Sequence, residues 1–242
     1  MLIGPQNSAL LGTLSASLGA LQQEMATSAR SAGRSEDSVT LIAVSKGHPP
    51  EAVRAAAGLG LRDFGESYLQ EALPKIAGLR DLDLRWHFIG RIQSNKTRAI
   101  AEQFDWVHGI DRLQVAQRLS AQRPHFAPLL QSCIQVNIDG EAGKAGVAPA
   151  AAADLASAVQ ALPRLRMRGL MCILPEGRGA AADRRSFAAL RALLQQLAAR
   201  GLVLDTLSMG MSGDFREAIA EGATMVRIGT ALFGPRNPQL RP

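Results

Sequence analysis

The chain has 242 residues, is 47% hydrophobic and 20% charged, and carries a net charge of +6. That length buries a substantial core, and the composition excludes a disordered chain. The surplus of cations raises nucleic acid as a partner, but aromatics make up only 4% and the arginines are scattered, so the stacking platforms of a single-strand binder are missing and a solvated basic surface fits better. The first element reads as an amphipathic helix, with Leu10, Leu11, Leu14, Leu18, Leu21 and Met25 spaced by three and four residues. It lacks the basic flank and unbroken apolar run of a signal peptide. No stretch reaches the roughly 18 apolar residues of a membrane span. A cytoplasmic protein without a membrane partner is therefore expected. The two cysteines, Cys133 and Cys172, fall in apolar runs and read as buried, reduced thiols.

Beyond the first helix, short apolar runs alternate with amphipathic ones. Strands are predicted at 39–44, 62–64, 85–89, 106–108, 129–138, 166–172, 206–209 and 225–228. Helices are predicted between and after them at 51–57, 68–76, 96–103, 112–122, 149–161, 183–199 and 214–221. Pro49-Pro50 suits a helix start. This alternation implies a parallel sheet with helices outside. Eight such steps in this length match a single (β/α)8 TIM barrel with an extra N-terminal helix, with a doubly wound open sheet as the alternative. No repeat, low-complexity tract or long linker divides the chain, so one domain over 1–242 is expected.

In such a barrel, ligands sit at the carboxyl ends of the strands. Lys46 follows the first apolar run. It reads either as a lysine snorkelling to water or as a desolvated amine whose lowered pKa frees it to attack a carbonyl. After the seventh run comes Ser208-Met209-Gly210-Met211-Ser212-Gly213-Asp214, leading into a helix. After the eighth comes Arg227-Ile228-Gly229-Thr230. Glycines allow close backbone approach, and helix starts favour anions. Capping of the helix by Ser212 or Asp214 is the simpler explanation of the first loop, but two such loops side by side indicate a phosphate site. His87 lies mid-strand and reads first as a core histidine. Ser94-Asn95-Lys96 looks like a capped helix start. Glu66 either orients a neighbour or caps the next helix, and Lys144 faces either ligand or solvent. No Walker loop, GxGxxG turn, GxSxG elbow or histidine pair at zinc spacing occurs.

Six motifs together carry a resemblance: Ala43-Val44-Ser45-Lys46, Phe64-Gly65-Glu66, Trp86-His87-Phe88-Ile89-Gly90, Gln93-Ser94-Asn95-Lys96, Leu207-Ser208-Met209-Gly210-Met211-Ser212 and Val226-Arg227-Ile228-Gly229-Thr230-Ala231. In this order they resemble the pyridoxal phosphate homeostasis protein family, from about Val39 to Arg236. The resemblance implies a fold-type III barrel like the N-terminal domain of alanine racemase. It implies that Lys46 carries pyridoxal 5'-phosphate as a Schiff base, that Ser208, Gly229 and Thr230 hold the phosphate, and that Arg227 faces the pyridine nitrogen. A cation there disfavours ring protonation and makes a poor electron sink. Two positions depart from the family pattern. Ser67 stands where asparagine is usual, and His48 where a second lysine is frequent, which leaves Lys144 and Lys96 as other secondary amines.

The same comparison bears on catalysis. Racemisation of the alanine racemase type needs an opposing base, typically a tyrosine from a separate β-domain. Here the single tyrosine, Tyr68, opens a helix, and the chain runs only to Pro242, so no β-domain is expected. Loss of one acid/base partner costs about 10²–10⁴ in rate. The expected role is a monomeric, non-catalytic binder that buffers the cofactor or delivers it to pyridoxal-phosphate-dependent apoenzymes. The alternatives are a racemase-like or Schiff-base lyase enzyme, and a phosphate-sugar barrel without cofactor.

Overall fold

The protein is described by a computed structural model covering residues 5–236, with side chains from residue 11 onwards. Eight parallel strands close into a barrel in the order of the sequence. They are β1 (Thr40–Val44), β2 (Asp63–Glu66), β3 (Arg85–Phe88), β4 (Trp106–Ile110), β5 (Leu130–Gln135), β6 (Leu165–Met171), β7 (Thr206–Ser208) and β8 (Met225–Ile228). The helices are α1 (Pro5–Ser31) ahead of the barrel, then α2 (Pro50–Gly58), α3 (Leu69–Gly78), α4 (Thr97–Gln103), α5 (Leu113–Gln122), α6 (Ala152–Gln160), α7 (Ala180–Ala199), α8 (Phe215–Ala220) and α9 (Thr230–Phe233). The TIM-barrel expectation holds, and the open sheet does not: β1 pairs with both β2 and β8.

The leading helix packs its leucine stripe on the barrel's outer ring. Leu14, Leu18, Leu21, Met25 and Ala29 are buried, and α1 meets α2, α8 and α9. Leu11, read as part of that stripe, is 38% exposed, because the helix turns it away from the ring. The side chain of Leu10 lies outside the described residues. Alternation along the strands separates two apolar layers. Phe64, Trp86, Phe88 and Val107 pack outward in the large cluster beneath the helices. Trp106, Cys133 and Met171 form a small cluster inside the barrel. Both cysteines are buried and free, and burial pushes their thiols up to about 12.

Three predicted elements change in extent. Strand β5 stops at Gln135 rather than 138, because the chain folds back and the Asn137 N–H donates to Val147 O. The predicted helix at 149–161 opens as a 3₁₀ turn, Pro149–Ala151, before α6. Ser94–Lys96 is likewise a 3₁₀ turn with no side-chain cap; instead the Thr97 hydroxyl donates to Ser94 O. At the carboxyl end of β3, Gly90 permits a close crossing. A β-carbon there would sit 2.3 Å from Ser67 O, so only glycine lets these two loops meet. That contact shapes one wall of the cavity described next.

Candidate functional site

A cavity of about 470 Å³ opens at the carboxyl ends of the strands. Its size falls in the usual range for small-ligand pockets, about 300–1,000 Å³. Lys46, directly after β1, lines it beside Ser67, Arg227, Gly229 and Thr230. Lys46 Nζ is half-buried and donates to Ser67 Oγ at 3.3 Å. Burial lowers its pKa, and Arg236 and Arg227 push the same way against the opposing pull of Glu66 and Glu71. The first strand thus delivers an amine biased toward its neutral, nucleophilic form. The position where the family pattern has asparagine is in direct contact with it.

The strand end carrying Lys46 is held from below by a buried ionic cluster. Lys75, on α3, donates to Ser45 O at 2.7 Å, to Glu66 Oε1 at 2.8 Å and to Glu71 Oε1 at 2.6 Å. Ser45 Oγ also donates to Glu66 Oε1 at 2.7 Å, and the Gly47 N–H donates to Glu71 Oε1 at 2.5 Å. Glu66 therefore orients its neighbours and does not cap α3. Burial raises its pKa, opposed mainly by Lys75. The sequence reading missed Lys75, because a lysine in an amphipathic helix ordinarily faces water. The proline one residue earlier, Pro74, sits inside α3 and is the local irregularity that could have drawn notice.

The loops after β7 and β8 form the opposite wall. Ser212, Gly213, Gly229 and Thr230 all line the cavity. The Ala231 N–H donates to Ser212 Oγ at 3.4 Å, which ties the two loops together. Ser212 thus does not cap α8. Asp214 Oδ1 accepts the Met211 N–H at 2.5 Å and closes the turn before that helix. Gly229 presses against the first strand: a β-carbon there would lie 3.3 Å from Val44 O.

Ser208, which the resemblance implies at the phosphate, lies behind the cavity wall. It is fully buried and does not line the cavity. Its hydroxyl lies 2.8 Å from His108 Nδ1 and accepts from Arg227 Nη1 at 2.8 Å. As the last residue of β7, its side chain points into the barrel interior, and Ser212, four residues on, occupies the cavity wall instead. Arg227, by contrast, reaches the cavity. Its Nη1 also donates to Ser208 O at 2.6 Å, and its Nη2 to Cys172 O at 2.8 Å.

The remaining candidates scatter. His48 is buried against the Phe233 ring, with centroids 5.1 Å apart, and does not line the cavity. Lys144 pairs with Glu141 at 2.9 Å, and neither it nor Lys96 is among the lining residues. Tyr68 is 44% exposed and outside the cavity. His87 is a buried core histidine, as its mid-strand position indicated, but it touches a second one, His108, that sequence reasoning passed over. Arg236, at the cavity mouth, was also missed. The assembled site offers a nucleophilic amine, two loops suited to an anion and a buried guanidinium between them. This set can capture a carbonyl compound that also bears a phosphate.

The chain is similar to known proteins in both sequence and fold. The family model for the alanine racemase N-terminal domain matches residues 16–237. A pyridoxal phosphate homeostasis protein of Pseudomonas aeruginosa is 56% identical over 227 residues, covering 94% of this chain and 97% of the relative. The Escherichia coli protein of the same name is 47% identical, covering 91% and 95%. The structure of PipY from Synechococcus elongatus with PLP bound superposes with a TM-score of 0.80 at 40% identity, covering 91% of this chain and all of that one (100%). Alanine racemase from Corynebacterium glutamicum, at 21% identity and a TM-score of 0.66 over 90% of this chain and 62% of that one, shares the fold. The chain belongs to the pyridoxal phosphate homeostasis protein family, on the alanine racemase N-terminal domain fold.

Proposed function

We propose that the protein binds pyridoxal 5'-phosphate in this cavity and serves cofactor homeostasis, storing the compound or handing it on without turning over a substrate. The observation that carries this reading is the desolvated Lys46 amine facing two glycine and hydroxyl loops across a cavity of about 470 Å³. Pyridoxal phosphate supplies an aldehyde and a phosphate on one small ring. Lys46 is the amine that captures the aldehyde. Ser212 and Gly213 from one loop, with Gly229 and Thr230 from the other, hold the phosphate. This assignment moves the serine contact from Ser208 to Ser212, since Ser208 is enclosed and engaged by Arg227. Arg227 faces the ring nitrogen as a donor-only cation and keeps that nitrogen unprotonated. Ser67 orients the amine.

Support for a holder over a catalyst comes from the same side chains. An unprotonated ring withdraws electrons weakly, and the sequence's one tyrosine lies outside the cavity. The relatives at 47–56% identity are named as homeostasis proteins. No described helix is long and apolar enough to cross a membrane. We read the chain, over 1–242, as one cytoplasmic domain acting as a monomer, with pyridoxal-phosphate-dependent apoenzymes as recipients.

The deciding experiment compares wild type and Lys46→Ala by visible spectrum with pyridoxal phosphate, before and after borohydride. Wild type should gain a band that reduction fixes as an adduct on Lys46, and the variant should not. An adduct mainly on another lysine would refute the site. Racemisation or cleavage of amino acids at about 1 per second or faster would refute the holder role.

A further inference from the structure

The inside of this barrel holds a file of polar side chains that ligand contact does not explain. Asp63 on β2, His87 on β3 and His108 on β4 are buried, both imidazoles completely. Asp63 Oδ1 lies 3.0 Å from His87 Nε2, and His87 Nδ1 lies 3.0 Å from His108 Nε2. His108 Nδ1 is 2.8 Å from the Ser208 hydroxyl, which Arg227 Nη1 also meets at 2.8 Å. At the far end Arg85 grips Asp63 through Nε at 2.7 Å and Nη2 at 2.5 Å. Asp63 and Arg85 line a second cleft of about 460 Å³, at the amino ends of the strands under α1.

The two ends of the file dictate each proton between them. A guanidinium only donates, so Ser208 accepts from Arg227. With both rings neutral, the serine's own proton goes to His108 Nδ1, which is bare because the Asp63 carboxylate at the other end only accepts and so fixes the proton of each ring on Nε2. His108 carries its proton on Nε2 and donates to a bare His87 Nδ1. His87 in turn carries its proton on Nε2 and donates to Asp63, a carboxylate that only accepts. Turning over His87 alone sets two donors against each other and faces a bare nitrogen to the Asp63 carboxylate, and turning over His108 alone sets two bare ring nitrogens against each other. Burial lowers the pKa of both rings, and for His108 the neighbouring His87 and Arg227 add to it, so both stay neutral. Burial works to raise Asp63, but hydrogen bonds from His87 and Arg85 outweigh it and hold the carboxyl at about 2.

We propose that Asp63, His87 and His108 are positioning residues for Arg227: their relay points the Ser208 hydroxyl as an acceptor and so fixes the guanidinium at the cavity floor. Two carbonyls, Ser208 O and Cys172 O, hold the same group from the sides. The relay decides the third acceptor and ties the ligand cavity to the far face of the barrel. The link to cofactor rests on the reading of Arg227 above.

Two measurements separate the relay from that reading. The first uses full-length protein with nitrogen-15 histidine and long-range proton–nitrogen correlation at neutral pH, without cofactor. His87 and His108 should both be neutral with the proton on Nε2; a proton on Nδ1 of either ring, or an imidazolium, overturns the relay. The second uses cofactor-loaded protein. His108→Leu should shift the visible band of bound pyridoxal phosphate and weaken its affinity about tenfold, the scale of one charged hydrogen bond. His108→Gln keeps an acceptor and a donor on one amide and should restore most of both. Cys133→Ala, equally buried but outside the file, should lower stability and leave the band in place. Ser208→Ala gives the same readout should His108→Leu not fold. A band and affinity unchanged in these variants overturn the proposal. If wild type takes up no pyridoxal phosphate, the functional reading falls, and the tautomers still decide the relay.

Discussion

The cations that line the ligand cavity are held differently from the strand arginines at the other end of the barrel. At the amino ends of the strands two arginines on the strands meet carboxylates. Arg85 pairs with Asp63, and Arg168 pairs with Asp205 while lying 4.9 Å over the Trp106 ring. At the carboxyl ends Lys46 meets only a hydroxyl among the described residues, and Arg227 meets carbonyls and a hydroxyl. Paired charges lock a structure in place. Charges held by neutral groups remain available to a ligand that brings its own phosphate and carbonyl. The contrast fits the general division of such barrels into a stability face and a functional face.

Four substitutions test this contrast, in descending order of effect. Lys46→Ala should abolish the borohydride-fixed adduct, read by intact mass, while the unfolding midpoint holds or rises, because a desolvated amine near two arginines is removed. Lys75→Met should be the most destabilising, by about 3–5 kcal/mol in denaturant titration, since it leaves the buried Glu66 and the half-buried Glu71 without their cation. Its cost should shrink as pH falls and Glu66, already raised, takes up a proton. Lys75, at the carboxyl ends of the strands, is then a structural residue beneath the ligand cavity.

Asp63→Asn probes the paired face. A carboxyl held at about 2 against an ordinary 3.8 stabilises the folded state above its unfolded pKa, and that stability is lost as pH falls through its folded value. Discounted for partial solvent screening, the contribution is about 1–2 kcal/mol. The gap between wild type and Asp63→Asn should therefore be full above about pH 4 and close toward pH 2, followed by urea midpoints. A gap that stays constant over that window would show the pairing is not what stabilises this face. Phe126→Ser marks the baseline: the ring is 92% exposed in the loop before β5, and the change should stay within about 0.5 kcal/mol by thermal unfolding.

Much of this molecule was open to reading in one dimension. The alternation of apolar runs specified eight strand–helix steps, because strand and helix periods are local properties of the chain. Lys46 and Arg227 were legible as strand-end residues, since a barrel brings all such ends to one rim. Two loops rich in glycine and hydroxyl groups flagged the anion wall for the same reason.

Other features depended on packing between distant segments. Ser208 and Ser212 lie in the same short motif, and only the twist of β7 into its loop decides which one faces the cavity and which the interior. Lys75 reads as a surface lysine until α3 is docked over Glu66 and Ser45. The hydroxyl that meets His108 is 100 residues away, and the His87 and His108 rings come from strands 21 residues apart. Periodicity shows which side of a strand is buried. It carries no record of which buried polar group meets which, because each hydrogen bond is set by distances across a closed sheet. The sequence by itself determined the barrel, its rim and the amine at the first strand. The tertiary structure decided the partners, since burial forces each polar group to find one and only the folded geometry limits the choice.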